Sequence, residues 1–570
     1  MQKTYIVRPE LEKTERENLK AFPDLTAHLL FHRGFKEEGE AVAFVSPEYE
    51  KGLHDPFLLS DMEKAVDRII FAMKNNEKVA IFSDYDADGI PGAVVLHDFF
   101  KKAGYHNFIN YIPHRNDEGF GLNKNAIEGF AKSGVRLVIT IDCGIGDIEE
   151  VSLAKKLGLS LIITDHHLPK ENLPDAYAIV NPKVLTKNKI QYPEKMLCGA
   201  GVVFKLVQAI LLKDRFNIPK DAEKWLLDMV GIATLSDMVP LKGENRVLGY
   251  FGLLVLRKSR RLGIVKLLRK LKIDQKKVTE DDIGFMISPR INAASRMGVS
   301  EDAFKLLVTE DENEANSLID HLEKINNERK GLTAHISKEV NKIIEAKYAP
   351  AFLNKVIVAG SPSWKPSILG LVASSLVETH GKPVFLWGRE GVQEALKGSC
   401  RSSGAISLSV LMSGVPLGVF NEFGGHDMAG GFSVSHESVH MLEVELEKSY
   451  EKELMSSSAI TSWIDKEVEL QNLSHYILKD IEKLAPFGVE NPKPIFLIKN
   501  CTIFDIQYFG KEKKHLKLVF SNAKIEAIIF FVRDEFLEKV EREKNVSIVG
   551  HLERNFFGAN SIRIRIVDIV

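Results

Sequence analysis

Cysteine is scarce: Cys143, Cys198, Cys400 and Cys501 lie far apart in a chain of 570 residues, with no CxxC spacing. This argues against a disulfide scaffold or a thiolate zinc site, and a reducing cytoplasm is the expected setting. Long apolar runs are missing too. None reaches the roughly eighteen residues of a membrane helix, and the opening MQKTYIVRPELEKTEREN lacks the apolar core of a signal peptide. Charge of one sign is also absent: 76 Lys and Arg against 78 Asp and Glu leave a formal charge of -2, so no overall basicity points to nucleic acid. What is present is length and an ordinary globular composition, 45% hydrophobic and 27% charged. Such a chain exceeds one core, and about two to four domains are expected. Charge is local. RKSRRLGIVKLLRKLKIDQKK (Arg257–Lys277) contains a single acid, Asp274. It reads either as a solvated helix face or as a stripe that tracks phosphates.

Residues 1–75 read as a helical, loop-rich segment expected to pack on the domain after it. From Lys78 short apolar runs, VAIF (79–82), LVITID (137–142) and LSLIITD (159–165), alternate with helical stretches. Runs without polar alternation suit strands buried on both faces of a parallel sheet, so 76–310 is expected to be a doubly wound α/β domain. From 311 to 348 one long helix is expected, since Leu318, Leu322, Ile325, Leu332, Ile336, Val340 and Ile343 recur at helical spacing. The YAP at 348–350 would end it. VIVAG (356–360), a helical stretch (368–381) and PVFLW (383–387) predict a second, smaller α/β domain over 349–455, with the glycine-rich turn FGGHDMAGG (423–431). Residues 460–570 are mostly strand-like and predict a small barrel.

The functional signal sits where the first domain's strands end. FSDYDADG (82–89) sets Asp84, Asp86 and Asp88 in one loop, the next run ends at Asp142, and the next at Asp165, His166 and His167. Asp237, in TLSDMVPL, follows another apolar stretch. The carboxyl edge of an open α/β sheet is where ligands bind. So many carboxylates in one place require positive charge among them, and carboxylate with imidazole suits Mn²⁺ or Mg²⁺. A pair of such ions bridged by one carboxylate would make a two-metal hydrolase. A calcium loop is the alternative for DYDADG, but no glutamate stands at its twelfth position.

DYDADG, IDCGI (141–145), TDHH (164–167) and SDMVPL (236–241) resemble the motifs of the DHH phosphoesterase superfamily. LLFHRGF (29–35), PHRNDEGFGLN (113–123) and PRINAASRMG (289–298) narrow the resemblance to the RecJ single-stranded-DNA exonucleases. FGGHDMAGG resembles their DHHA1 domain, and LAPFGVENPKPIF (484–496) the entry to their OB-fold. The resemblance implies a DHH domain joined by the long helix to DHHA1, then an OB-like barrel. It implies metal-dependent 5′-to-3′ degradation of single-stranded DNA to mononucleotides with Mn²⁺ or Mg²⁺, in DNA repair and recombination. Asp86, Asp88, Asp142, His166 and Asp237 would hold the metals, with Asp142 bridging. His167 would meet the scissile phosphate or a metal, and Asp84 would be an outer acid or extra ligand. Arg115, Arg290, Asn292, Arg296, Arg401, Ser402, Gly424, Gly425 and His426 would bind the substrate. A helicase and a single-strand-binding protein are the implied partners of a monomer.

Three departures stand out. The superfamily often places histidine where this chain has Phe82. The family's Trp-His-x-Gly reads Trp364-Lys365-Pro366-Ser367 here, and a charged lysine cannot accept a proton as histidine can. Ser295 stands where glycine is usual. The competing readings are a DHH phosphodiesterase for short oligoribonucleotides or cyclic dinucleotides, and a non-catalytic DNA-binding relative. The barrel weighs against the first of these, and the intact acid motifs weigh against the second. YFGKEKKHLK (508–517) and ERNFFGAN (553–560) set aromatics beside basic residues, as single-strand binding by a barrel requires.

Overall fold

Alternation within the run KVAIFS decides how the first domain is built. Val79 and Ile81 enter one apolar core and Ala80 and Phe82 another, so this strand is buried on both faces. It is β1 (Lys78–Ser83), followed by β2 (Phe108–Tyr111), β3 (Val135–Ile141), β4 (Ser160–Thr164) and β5 (Ala178–Val180). All pair in parallel, in the order β2-β1-β3-β4-β5. The helices Met62–Lys74, Gly89–Lys102 and Gly199–Lys213 cover one face, and Lys124–Lys132 and Ile148–Lys156 the other. The computed structural model describes residues 4–348, 354–389, 395–404, 406–454, 461–510, 513–521, 525–530, 532, 534–542, 544–555 and 562–570.

The helix Glu312–Tyr348 runs for 37 residues. Its apolar stripe serves two cores in succession. Ala315, Ile319 and Leu322 close the first domain, while Ile336, Val340 and Ile344 pack into the second. Ala349 and Pro350, the expected terminator, lie outside the described residues. The second domain holds β6 (Ile357–Gly360), β7 (Val384–Gly388), β8 (Leu396–Arg401), β9 (Glu422–Gly425) and β10 (Ala429–Val434) in the order β9-β10-β8-β7-β6. β6 and β7 are parallel and the remaining pairs antiparallel. Trp364 donates its indole N–H to Glu339 Oε2 of the long helix at 2.6 Å, which fixes the domain to its connector.

The C-terminal strands are β11 (Lys466–Glu469), β12 (Phe496–Phe509), β13 (His515–Phe520), β14 (Glu526–Ile529), β15 (Asn545–Arg554) and β16 (Ile562–Ile569). Pairings run β12-β13-β14-β16-β15 and return from β15 to β12, closing a barrel onto which β11 adds alongside β12. The N-terminal segment divides, contrary to the expectation that all of it packs on the first domain. Leu19, Leu29, Leu30, Ala41 and Phe44 share one core with Phe496, Leu516 and Ile548 of the barrel, and Thr4–Val7 pairs with Thr461–Ile464. Leu59, Met62, Val66 and Ile69 join the parallel-sheet core. Arg246 binds the parts together, donating to Phe44 O and Pro486 O, each at 3.0 Å.

Three of the ten basic residues in the run Arg257–Lys277 brace the fold. Arg261 pairs with Asp98 at 2.8 Å and Asp228 at 3.3 Å, Lys270 with Asp320 at 2.7 Å, and Lys266 with Glu312. The last two acids belong to the long helix, so these charges hold the connector to the first domain.

Candidate metal centre and substrate cleft

Each strand end delivers its acid differently. Asp84 leaves β1, and the loop after it turns into the helix Gly89–Lys102. Asp86 Oδ1 accepts from the N–H groups of Asp88 and Gly89 at 2.8 and 3.1 Å, so it caps that helix while its other oxygen is left to the cluster. Asp88 faces a second helix start. Its two oxygens accept from Gly199 N–H at 2.6 Å and Ala200 N–H at 2.7 Å. Asp142 follows β3 with φ 61°, a left-handed conformation that Asp tolerates better than most residues. Gly199 presses against it: a Cβ there would lie 2.6 Å from Asp142 Cβ. Asp237 arrives from a helix end, just after Leu227–Ser236, rather than from a strand.

Three sets of side chains bring ligand atoms within 4.8 Å of one another: Asp84, Asp86 and Asp142; Asp88, His166 and Asp237; and Asp142, His166 and His167. His166 Nε2 lies 3.1 Å from Asp142 Oδ1 and 3.7 Å from both Asp88 Oδ2 and Asp237 Oδ2. Asp142 belongs to two sets, the position a bridging carboxylate needs. Asp142 Oδ1 and Asp84 Oδ1 are buried and receive no hydrogen bond. Oxygen-rich donors, two imidazoles and orphaned buried carboxylate oxygens fit hard divalent cations. Phe82 does not reach this edge. It is fully buried and stacks on Tyr111, so Asp84 supplies the third acid beside Asp86 and Asp142.

The charges strain against one another. Burial first, and repulsion from Asp86 next, raise Asp88 to about 7. Burial and then Asp88 raise Asp237 to about 8, and Asp142 rises well above the usual carboxylate range for the same two reasons. Burial, then His167, press His166 down to about 3, so its imidazole is neutral and fit to ligate. Burial would also lower His167, but the hydrogen bond and charge of Asp165 prevail and lift it to about 8.

Asp165, which the sequence places at a strand end without a role, orders this part of the site. Its carboxylate accepts from His167 Nδ1 at 2.8 Å, from the backbone N–H groups of His166 and His167 at 2.7 and 3.0 Å, and from Ile145 N–H at 3.0 Å. It thereby fixes both histidines and the loop after Asp142. The sequence signal was there, an acid directly before two histidines at a strand end.

Facing the acids is a group of guanidiniums. Burial first, and then Arg115, Arg401 and Arg329, pull Arg296 down to about 9, with Asp86 acting the other way. Arg296 and Ser367 hold each other: Arg296 Nη1 donates to Ser367 O at 2.5 Å, and Ser367 Oγ to Arg296 O at 3.1 Å. Arg115 Nη1 donates to Ser295 Oγ at 3.4 Å and lies over the Tyr85 ring, 4.8 Å from its centroid. Both serines that depart from the family pattern thus brace an arginine. Arg329, from the long helix, was not anticipated; its Nε is buried without a hydrogen bond.

Arg290, Ser402 and Asn292, also expected to bind substrate, are engaged within the fold. Arg290 is buried, pairs with Glu323 and donates to Met286 O at 2.6 Å. Ser402 is buried and donates to Ile406 O at 2.8 Å. Asn292 Oδ1 accepts from Ala87 N–H at 3.0 Å, so it steadies the triple-aspartate loop. Gly424 and Gly425 lie on β9, and His426 closes the turn by donating its N–H to Ala429 O at 2.8 Å. Gly425, at φ 142°, could not carry a side chain, since a Cβ would sit 2.4 Å from Ala429 O. Lys365 occupies the position before the helix Pro366–His380, and its side chain makes no capping hydrogen bond there.

Family models match three stretches in chain order: the DHH family N-terminal domain over residues 78–234, the DHHA1 domain over 353–448, and the RecJ OB domain over 464–568. The single-stranded-DNA-specific exonuclease RecJ of Bacillus subtilis is 34% identical over 96% of this chain and 68% of its own length. The chain belongs to the RecJ family. A Haemophilus influenzae member is 29% identical over 91% of this chain and 92% of its own. Among solved structures, the Thermus thermophilus RecJ crystallised with Mn²⁺ shares the fold, with a TM-score of 0.82 over 100% of this chain and 79% of that one, at 24% identity. An exonuclease RecJ bound to manganese matches 68% of this chain and 94% of its own at TM-score 0.57 and 29% identity. The RecJ family therefore accounts for the parallel-sheet domain, the long helix, the second domain and the barrel together. No helix among the described residues is long and apolar enough to cross a membrane.

Proposed function

We propose that this chain is a two-metal exonuclease that degrades single-stranded DNA from its 5′ end to 5′-mononucleotides. One observation carries the reading: orphaned carboxylate oxygens of Asp84 and Asp142 stand opposite a cluster of guanidiniums around Arg296. One side calls for cations and the other for an anion, and a phosphodiester between them satisfies both. Asp84, Asp86 and Asp142 would hold one ion and Asp88, His166 and Asp237 the other, with Asp142 shared. Two Mn²⁺ or Mg²⁺ ions held there would lower the pKa of water and offset charge on the scissile phosphate.

The chain's own groups do the rest. Asp165 holds the His167 ring by its Nδ1, and the raised proton affinity of that imidazole lets it donate to a phosphate oxygen as charge builds. Arg115, Arg296, Arg329 and Arg401 orient the remaining oxygens and offset the developing charge. The barrel would receive the rest of the strand, with Phe504 and Tyr508 exposed for stacking. Phe556 and Phe557, also expected to stack, lie outside the described residues. A strand opened by a helicase and coated by a single-strand-binding protein in the cytoplasm is the natural substrate, and one copy of the chain contains every group invoked.

Single-stranded DNA labelled at either end tests this, with Mn²⁺ present or chelated and with wild type beside Asp142→Ala. Metal-dependent release of 5′-label as mononucleotide, lost in the variant, is expected. An intact long strand together with cleaved dinucleotides would refute it in favour of a small-oligonucleotide phosphodiesterase.

A further inference from the structure

Two hollows flank the arginine cluster. One lies against Met238, Phe285, Arg296, Arg329 and the barrel-entry segment Phe487–Val489. The other, of about 530 Å³, lies between the two α/β domains, with Tyr85, Arg115 and Phe120 on one wall and Phe423 and Gly424 on the other. That volume falls within the range of about 300–1,000 Å³ typical of small-molecule sites. The first hollow leads toward the barrel and so suits the long remainder of the strand. The second is lined only by residues of the two α/β domains and suits the end that is cut away.

The second hollow is furnished with aromatic faces. Phe120 is 54% exposed and Phe423 46% exposed, both large apolar rings in water. Phe120 is not exposed by default. It stands between Gly119 and Gly121, at φ 82° and 85°, in a loop pinned by Leu122 N–H donating to Asp147 Oδ2 at 2.7 Å. A Cβ on Gly121 would lie 2.6 Å from the same oxygen. The backbone is thus shaped to hold one phenyl ring outward. That ring meets His167 edge to face, with centroids 5.4 Å apart, which places it beside the reacting phosphate. Phe423 is steadied from behind by Phe420 at 5.4 Å.

We propose that Phe120 and Phe423 form the seat of the strand's 5′-terminal nucleobase, the base of the nucleotide about to be released. This rests on the exonuclease reading above. Aromatic faces stack on any base, so the seat grips each of the four without choosing among them, as complete digestion of a strand requires. It also sets the step length at one nucleotide: the base must enter the hollow for its 3′ phosphate to reach the acids.

The test compares two 5′-phosphorylated oligothymidylates, one ordinary and one whose first residue is an abasic tetrahydrofuran. Release of the first residue is timed under single-turnover conditions with Mn²⁺. Wild type should favour the base-bearing strand by about tenfold in kcat/KM, within the range one stacked base provides. Phe120→Ala and Phe423→Ala should each bring that preference close to unity, by slowing the base-bearing strand more than the abasic one. Phe423 belongs to the other domain, so a disturbance of His167 by the first variant does not explain a shared result. Equal rates for both strands in wild type, or a full preference kept by both variants, would overturn the seat. No release from either strand by wild type would overturn the exonuclease reading itself, and the seat with it.

Discussion

The two walls of the cleft are held in opposite ways. On the sheet edge, each metal-site carboxylate with assigned hydrogen bonds is fixed by backbone N–H groups: Asp86 by a helix start, Asp88 by the N-terminus of Gly199–Lys213. On the arginine side, Arg115 has one long bond to Ser295, and Arg296 rests on Ser367, with guanidiniums as neighbours. Backbone anchoring fixes Asp86 and Asp88 at their positions. The arginines repel one another, which an anion among them would relieve. On the proposed reading, the anchored acids tolerate little change, and the basic wall would be completed by the substrate.

Removing the shared acid should break the acid wall outright. Asp142→Asn is expected to lower kcat by at least about a thousandfold, the scale of losing a principal catalytic group, measured on single-stranded DNA with saturating Mn²⁺. Asp165→Asn should cost about 10- to 100-fold in Mn²⁺ affinity or activity, since it touches the ligands and not the metal. The basic wall should respond in a different parameter. Arg296→Ala is expected to reduce kcat/KM by about 10- to 100-fold, the value of one or two charge-assisted hydrogen bonds, mostly through KM.

Protons sharpen the contrast. Asp88 at about 7 and Asp237 at about 8 lie above their ordinary values, so the metal-free cluster carries extra protons that a cation must displace. Raised acids contribute stability below their unfolded values and lose it as pH climbs through the folded ones, here through 7 to 8. The rise in Tm on adding Mn²⁺ should thus be larger at about pH 8.5 than at about pH 6. Smallest of all, Ser402→Ala should cost about 1 kcal/mol of stability in denaturant titration and leave kcat/KM unchanged, because its hydroxyl serves Ile406.

The acid wall was legible because its signal is local: apolar runs too uniform for a half-exposed strand, each ending in acid or histidine. The fold order was legible for the same reason, with helical and strand periods written along the chain. What escaped depends on pairings far apart in sequence. Leu29 and Leu30 look apolar wherever they pack, and nothing in LLFHRGF says that the barrel, over 400 residues later, completes their core. Arg290 reads as a phosphate ligand until Glu323 of the long helix is seen beside it. Arg329 lies outside every motif that carries the resemblance, and three of the basic residues in Arg257–Lys277 met their acids only in three dimensions.

Two cations sharing Asp142 at the sheet edge would satisfy the orphaned oxygens of Asp84 and Asp142 together. Anomalous diffraction from crystals soaked in Mn²⁺ measures this directly. Two peaks are predicted about 3.5–4 Å apart, with the Asp142 carboxylate between them, one beside Asp84 and Asp86 and the other beside Asp88, His166 and Asp237. A single peak, or peaks that leave Asp142 without a metal, would contradict the account.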